Sequence, residues 1–283
     1  MIYINFGFPK TSSTNLQKNF YPNIKNIFYL GRCYHKINSK IYEDINDYIE
    51  YRRNFNDIEI KNLRNKFLKK FRKKKVLISN ESWLVPYQKN NLSGKIEVVS
   101  QFKKLERVKF FFGSKIKVNY FLIQRNRNVA MRSLFVTLEE RIYKLFGRES
   151  LNFKFFKSRN NKKDKDYKNI KLFFEVYNLK KIQKTLGKNK LKTFSYNEIK
   201  LKPEKFLNNF ENYLKIKINR KLVDKIKIRT RVTKKQNSRY VIYQTIFLYE
   251  ILKKILPNKI LDFLKRISFL KKIRFLFLKK LDV

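Results

Sequence analysis

The chain has 283 residues, 43% of them hydrophobic, enough to bury one large α/β core and too many for global disorder. Its formal net charge is +47, from 69 basic against 22 acidic side chains. One cysteine, Cys33, and one histidine, His35, exclude an intrachain disulfide, a thiolate metal site of the usual spacing and a multi-histidine metal site. Along the chain, apolar runs at 1–7, 75–79, 118–124 and 191–195 predict four strands. They are mostly apolar rather than alternating, as in strands buried on both faces of a parallel sheet. Helical patterns fall between them at 13–20, 57–73, 97–112 and 128–146, and again at 170–187 and after Pro203. Strand–helix alternation predicts a doubly wound α/β fold with a mainly parallel sheet between helical layers.

The segment 148–170 is charged and fits neither period, so it reads as a solvated loop or as a lid or acceptor-binding insertion. The run Tyr240 to Tyr249 reads as a buried helix, and 250–281 as a basic amphipathic helix pair broken at Pro257. In this pair 250–264 is expected to dock on the sheet, while 265–281 suits docking and contact with anionic lipid equally. No repeat or low-complexity linker interrupts the chain. The simplest division is therefore one domain over 1–283 with a helical extension from about 240. No uncharged apolar run approaches the ~20 residues that span a membrane. The first strand leaves no room for a signal peptide, so the expected compartment is the cytoplasm, with peripheral membrane contact through 265–281 as the alternative to docking of that segment.

The charge has two sources. A single alanine (Ala130), six glycines and five prolines stand against abundant Lys, Asn, Ile and Phe, a bias of AT-rich codons that accounts for much of the lysine. It accounts less well for so few Asp and Glu, which leaves a preference for anionic partners.

The chemistry concentrates at Pro-Lys-Thr-Ser-Ser-Thr-Asn-Leu-Gln, residues 9–17, directly after the first strand. A strand that turns through Gly7 and Pro9 into a helix presents unpaired N–H groups and the positive dipole end to an anion. Lys10 and the hydroxyls of Thr11, Ser12, Ser13 and Thr14 surround the same point, which suits a phosphate. The glycine–lysine spacing of nucleoside triphosphatases is absent, because the lysine arrives early. A second candidate is the strand ending at Arg125, with Ser133 eight residues later on a helical segment. A guanidinium fork and a hydroxyl are good phosphate donors.

Lysine early in Pro-Lys-Thr-x-Ser-Thr-x-Leu-Gln, then Arg125-Asn and Ser133, resembles the sulfotransferases that use 3′-phosphoadenosine-5′-phosphosulfate, in their bacterial and carbohydrate-type branch. The resemblance covers roughly residues 1–215, patchily, and includes Phe194-Ser-Tyr-Asn-Glu-Ile and the turn at Pro203. It implies the three-layer sulfotransferase form of the nucleotide-hydrolase-like α/β fold, and a sulfonate donor bound without metal. It implies 5′-phosphate binding by Lys10, Thr11, Ser12, Ser13 and Thr14, and 3′-phosphate binding by Arg125 and Ser133. Two departures stand out: Ser12 where the family has glycine, and Arg127 where it has proline, which adds a cation and loosens the turn.

Lys10 is the expected stabiliser of the leaving oxygen and Glu81, after the second predicted strand, the expected base, with His35 its competitor. Trp83 suits a sugar-stacking role and a core role alike, while Arg229 and Arg231 read as a solvated charge run rather than a phosphate clamp. The expected acceptor is a saccharide hydroxyl, on an already anionic glycan. Two alternatives stay open: a basic nucleic-acid-binding protein, and a nucleotide-dependent kinase. Neither the spacing of the two phosphate motifs nor the absence of a clear magnesium-binding acid favours them.

Overall fold

A computed structural model describes residues 1–7, 13–33, 36–89, 95–113, 116–187, 190–226, 239–241 and 279–281. The chain divides into two compact units, Met1–Ile228 and Arg229–Val283. In the second, the described residues form β9 (Arg239–Val241) and β10 (Lys279–Leu281), an antiparallel pair. The remainder of the expected C-terminal helices, with Arg229 and Arg231, lies outside the described residues.

The first unit is built on a sheet of six strands in the order β3-β2-β4-β1-β7-β8. These are β1 (Ile2–Asn5), β2 (Phe28–Cys33), β3 (Lys36–Ile37), β4 (Val76–Ser79), β7 (Val118–Gln124) and β8 (Leu191–Ser195). Every neighbouring pair is parallel except β2 with β3. A separate antiparallel pair, β5 (Tyr87–Lys89) with β6 (Ile96–Val98), lies between β4 and β7 in sequence.

Strand alternation sorts the side chains into two cores. Ile2, Ile4, Val76, Ile78, Val118, Tyr120 and Leu122 face one. There they pack on α2 (Lys40–Ile49), α3 (Asp57–Phe71), α4 (Gln101–Phe112), α5 (Arg127–Thr137), α6 (Glu139–Phe146), α8 (Tyr167–Glu175) and α9 (Leu179–Leu186). Tyr3, Leu77, Phe121, Ile123 and Phe194 face the other. This layer holds α10 (Tyr196–Leu201), α11 (Pro203–Leu214), α12 (Val223–Ile226) and the π-helical turn Leu16–Phe20 that continues α1 (Ser13–Asn15). The result is a three-layer α/β/α fold with a mainly parallel sheet, as the strand–helix alternation predicts.

Three differences have physical reasons. The apolar periodicity over 128–146 spans two helices, α5 and α6, which break at Leu138 (φ −99°, ψ 6°). The 170–187 pattern likewise divides, because the Asn178 side chain accepts from Lys181 N and starts a new helix. Residues 148–170 are not a solvated loop but carry a 3₁₀ turn (Arg148–Leu151) and α7 (Phe153–Ser158). Phe156 is fully buried against Phe135, Phe146 and Phe173. Arg159 gathers the rest of the segment, donating to Asp164 at 2.8 Å, Asp166 at 2.5 Å and Ser150 Oγ at 2.7 Å. This guanidinium holds the Asp164 carboxyl below its usual range.

Candidate functional site at the carboxyl edge of the sheet

The strand order reverses at β1, which has later strands on both sides. Ligands in open parallel sheets bind outside the strand ends at such a point. Asn5 ends β1 and registers against Ser79 of β4 and Phe121 of β7. Its fully buried side chain accepts from Gly7 N at 2.9 Å and donates to Tyr21 Oη at 2.8 Å and Ser79 Oγ at 3.3 Å. Gln17 Nε2 donates to the same Ser79 hydroxyl at 2.9 Å. Burial pushes the Tyr21 phenol far up, so it stays a neutral partner. Gly7 has φ +49°, a left-handed conformation that glycine adopts without strain. The end of β1 is therefore a braced turn at Gly7, and the described chain resumes at α1.

Lys10, Thr11 and Ser12 lie outside the described residues, as does His35. Ser13 opens α1, and Thr14 is exposed one residue further on.

Arg125 follows the last residue of β7 and its guanidinium lies 4.9 Å from the Tyr196 ring centroid, over its face. Asn126 caps α5, its side chain accepting from Asn128 N and Val129 N. Arg127 stands at the first helical position, where proline is otherwise favoured. It donates to Phe174 O at 3.0 Å, so a tether to the end of α8 replaces the fixed ring. Ser133 is part-exposed on α5, two turns along.

A cleft of about 790 Å³ opens at the ends of β7 and β8, lined among others by Arg125, Asn126, Arg127, Lys192, Ser195 and Asn197. Ser133 is not among its lining residues. One carboxylate, Glu198, also lines it and is paired with Lys205 at 3.7 Å, so the guanidinium, ammonium, hydroxyl and amide groups still suit an anionic ligand of nucleotide size.

Glu81 follows β4 and caps the 3₁₀ turn Ser82–Leu84 from a part-exposed position. Trp83 is fully buried and donates to Asn46 Oδ1 at 2.9 Å, which decides for the core role. One residue that sequence reasoning missed senses charges from both candidate groups. Tyr177, between α8 and α9, has its phenol pushed up by burial, and the charges of Arg125 and Glu81 act on it in opposite senses. Glu81 and Arg125 follow different strands, β4 and β7, and the charge of each is felt at this one phenol. A tyrosine in a Val-Tyr-Asn linker between helices carries no sequence signal for this role. Among the described residues, no three His, Cys, Asp or Glu side chains gather as metal ligands do, and no helix is long and apolar enough to cross a membrane.

Parallel strands between two helical layers, with a polar cleft outside the strand ends, define an open α/β protein with a candidate ligand site at the carboxyl edge. No protein-family model matches the chain, and no curated protein does. Among solved structures it is similar to a sulfotransferase from Alicyclobacillus acidocaldarius. The identity is 12% and the TM-score 0.43, over 76% of this chain and 81% of that chain.

Proposed function

We propose that this chain is a sulfotransferase that moves a sulfonate group from 3′-phosphoadenosine-5′-phosphosulfate to an acceptor hydroxyl on a saccharide. One observation carries the reading. The two phosphate-type motifs leave the sheet from adjacent parallel strands, β1 and β7, which register at Ile2↔Val118 through Asn5↔Phe121. On this reading, motifs more than a hundred residues apart face one nucleotide that bears phosphate at both its 5′ and 3′ positions.

The donor supplies an activated sulfonate on a good leaving group. Lys10 and the hydroxyls of Thr11 to Thr14, with the α1 N–H groups, bind the 5′ side. Arg125 and Ser133 bind the 3′-phosphate, and the cleft that Arg125 lines admits the rest of the nucleotide. Lys10 also places positive charge where negative charge grows on the leaving oxygen, which is the largest single term in transfers of this kind. Glu81 removes the acceptor hydroxyl's proton. Positioning and fixed charge do the work, and the binding residues neutralise both phosphates without a metal.

Calorimetric titration with 3′-phosphoadenosine-5′-phosphate, ATP and a random oligonucleotide, each with and without chelator, tests the reading. The expected result is binding of the first, selectively and without metal. Equal affinity for ATP, abolition by chelator or preference for the oligonucleotide would instead favour a kinase or a nucleic-acid-binding protein.

A further inference from the structure

The turn that carries Glu81 rests on buried charges that a simple core would not contain. Lys104, on α4, is completely buried, and so very nearly is Glu50, which ends α2 at 1% exposure. Lys104 Nζ donates to Val85 O at 2.8 Å and to Ser82 O at 3.4 Å. From the opposite side, the Ser82 hydroxyl sits between the Glu50 carboxylate and Asn80 Oδ1. Asn80 Oδ1 also accepts from Ser82 N at 2.9 Å, and Asn80 Nδ2 donates to Asn46 Oδ1 at 2.5 Å, beside Trp83 Nε1. Glu50 pairs in turn with Arg52. Leu84 N closes the turn on Glu81 O at 3.3 Å.

Burying an ammonium and a carboxylate is expensive, and well-packed apolar residues of similar volume usually stabilise a fold at least as well. Glu50 Oε2 has its ion-pair partner Arg52 but no hydrogen bond; what the charges add is direction, since the bonds converging on one turn admit fewer arrangements than an apolar contact. We infer that Lys104 and Glu50 are positioning residues that clamp the 80–85 turn from two sides and so fix the aim of Glu81. The inference rests on Glu81 being the base of the proposed reaction.

The chain carries its own reporter, because Trp83, the only tryptophan, lies inside the network. Burial holds the Lys104 ammonium down to about 8. Glu50 favours its charge, while Arg52 and Arg141 oppose it. Since the folded pKa is depressed, the unfolded chain binds more protons above pH ~8, and this group's contribution to global stability rises with pH there. Turn order should move the other way, because the neutral amine makes weaker hydrogen bonds than the cation. A role confined to stability would make both move together.

The experiment follows Trp83 emission and amide exchange in the full chain from about pH 6.5 to about pH 9.5, for wild type, Lys104→Met and Glu50→Gln. Wild type is expected to show an emission transition with its midpoint near 8. Protection at 80–85 should fall at least about tenfold above it, while core strands stay protected. Lys104→Met, which removes the buried charge and keeps the volume, should melt no lower than wild type. It should nevertheless lose both the emission transition and the protection of the turn at every pH, with unchanged affinity for 3′-phosphoadenosine-5′-phosphate. Glu50→Gln should loosen the same segment.

An intact 80–85 turn in Lys104→Met, a wild-type emission without a transition near pH 8, or uniform loss of protection through the core would each overturn the clamp. Failure of wild type to bind the nucleotide would overturn the donor reading alone, since emission and exchange judge the clamp without it.

Discussion

Lys10 and Arg125 act on opposite ends of the same donor in the proposed reaction, so their variants should separate rate from affinity. Lys10→Ala removes a charge needed most as the leaving oxygen departs, and turnover should fall about 10²–10³-fold with a smaller loss of nucleotide affinity. Arg125→Ala should do the reverse, since its contact with the donor's 3′-phosphate exists equally before and during transfer. Glu81→Gln keeps shape and hydrogen bonding but removes the proton acceptor, for an expected loss of about 10²–10⁴-fold in rate at near-normal nucleotide binding. Initial-rate kinetics beside calorimetry resolve all three; parallel changes in rate and affinity across the set would contradict the assigned roles. Residue by residue, the site is unevenly legible in the sequence. Arg125 and Glu81 stand out because each ends an apolar run, and strand ends are where a parallel sheet keeps its ligands. Lys104 and Glu50 do not, because two charged side chains on separate helices look like solvent-facing residues until the fold closes around them. Tyr177 is hidden for the same reason.

At the scale of elements, four of the five strands that pair in parallel, β1, β4, β7 and β8, were readable as apolar runs, and each forms where its run lies. Strand β2 was missed although Phe28 to Leu30 is apolar, since Gly31 and Arg32 interrupt it and make it look like a turn. Gly31 has a packing reason. Tyr29 folds along the strand and donates to Arg32 O at 3.1 Å. A Cβ on Gly31 would come within 2.4 Å of the Tyr29 hydroxyl and 2.9 Å of Ser79 O. The ring can move but the strand cannot, and Ser79 is the residue on which Asn5 and Gln17 converge. Gly31→Ala should therefore destabilise the protein by about 1–3 kcal/mol, as overpacking does. Chemical denaturation measures this, and a stability within error of wild type would show that β2 yields without disturbing β4. Helix α2 went unread despite a clear signal: Ser39 at its N-cap, then Ile41, Tyr42, Ile45, Tyr48 and Ile49 buried at helical spacing. Its acidic residues masked a stripe that periodicity contains.

For the molecule as a whole, the excess of cations bears on encounter rather than fold. With 69 basic against 22 acidic side chains, most cations cannot have a carboxylate of their own, and a surface of this sign attracts polyanions over about a Debye length, ~10 Å at 0.1 M salt. Transfer to an acidic oligosaccharide should consequently be faster than to a neutral sugar or a simple phenol, and should slow steeply as salt rises. Activity assays on the three acceptors at low and high salt check this. Preference for the phenol, or rates indifferent to salt, would leave the charge to codon bias and the acceptor class unsupported.

The strand that precedes the proposed phosphate loop is also the one whose partners lie farthest away along the chain. Ile2 pairs with Val76 on one side and Val118 on the other, with Leu30, in between, on neither. A chain in which β1 must wait for residues this distant closes its longest loops before gaining its central contacts, and such topologies fold slowly. Until then an apolar strand with two open edges, Ile-Tyr-Ile-Asn, stays exposed to other chains. The arrangement that brings two remote motifs to one crevice therefore makes yield during refolding, more than stability once folded, the quantity most sensitive to protein concentration and to changes in β4 and β7.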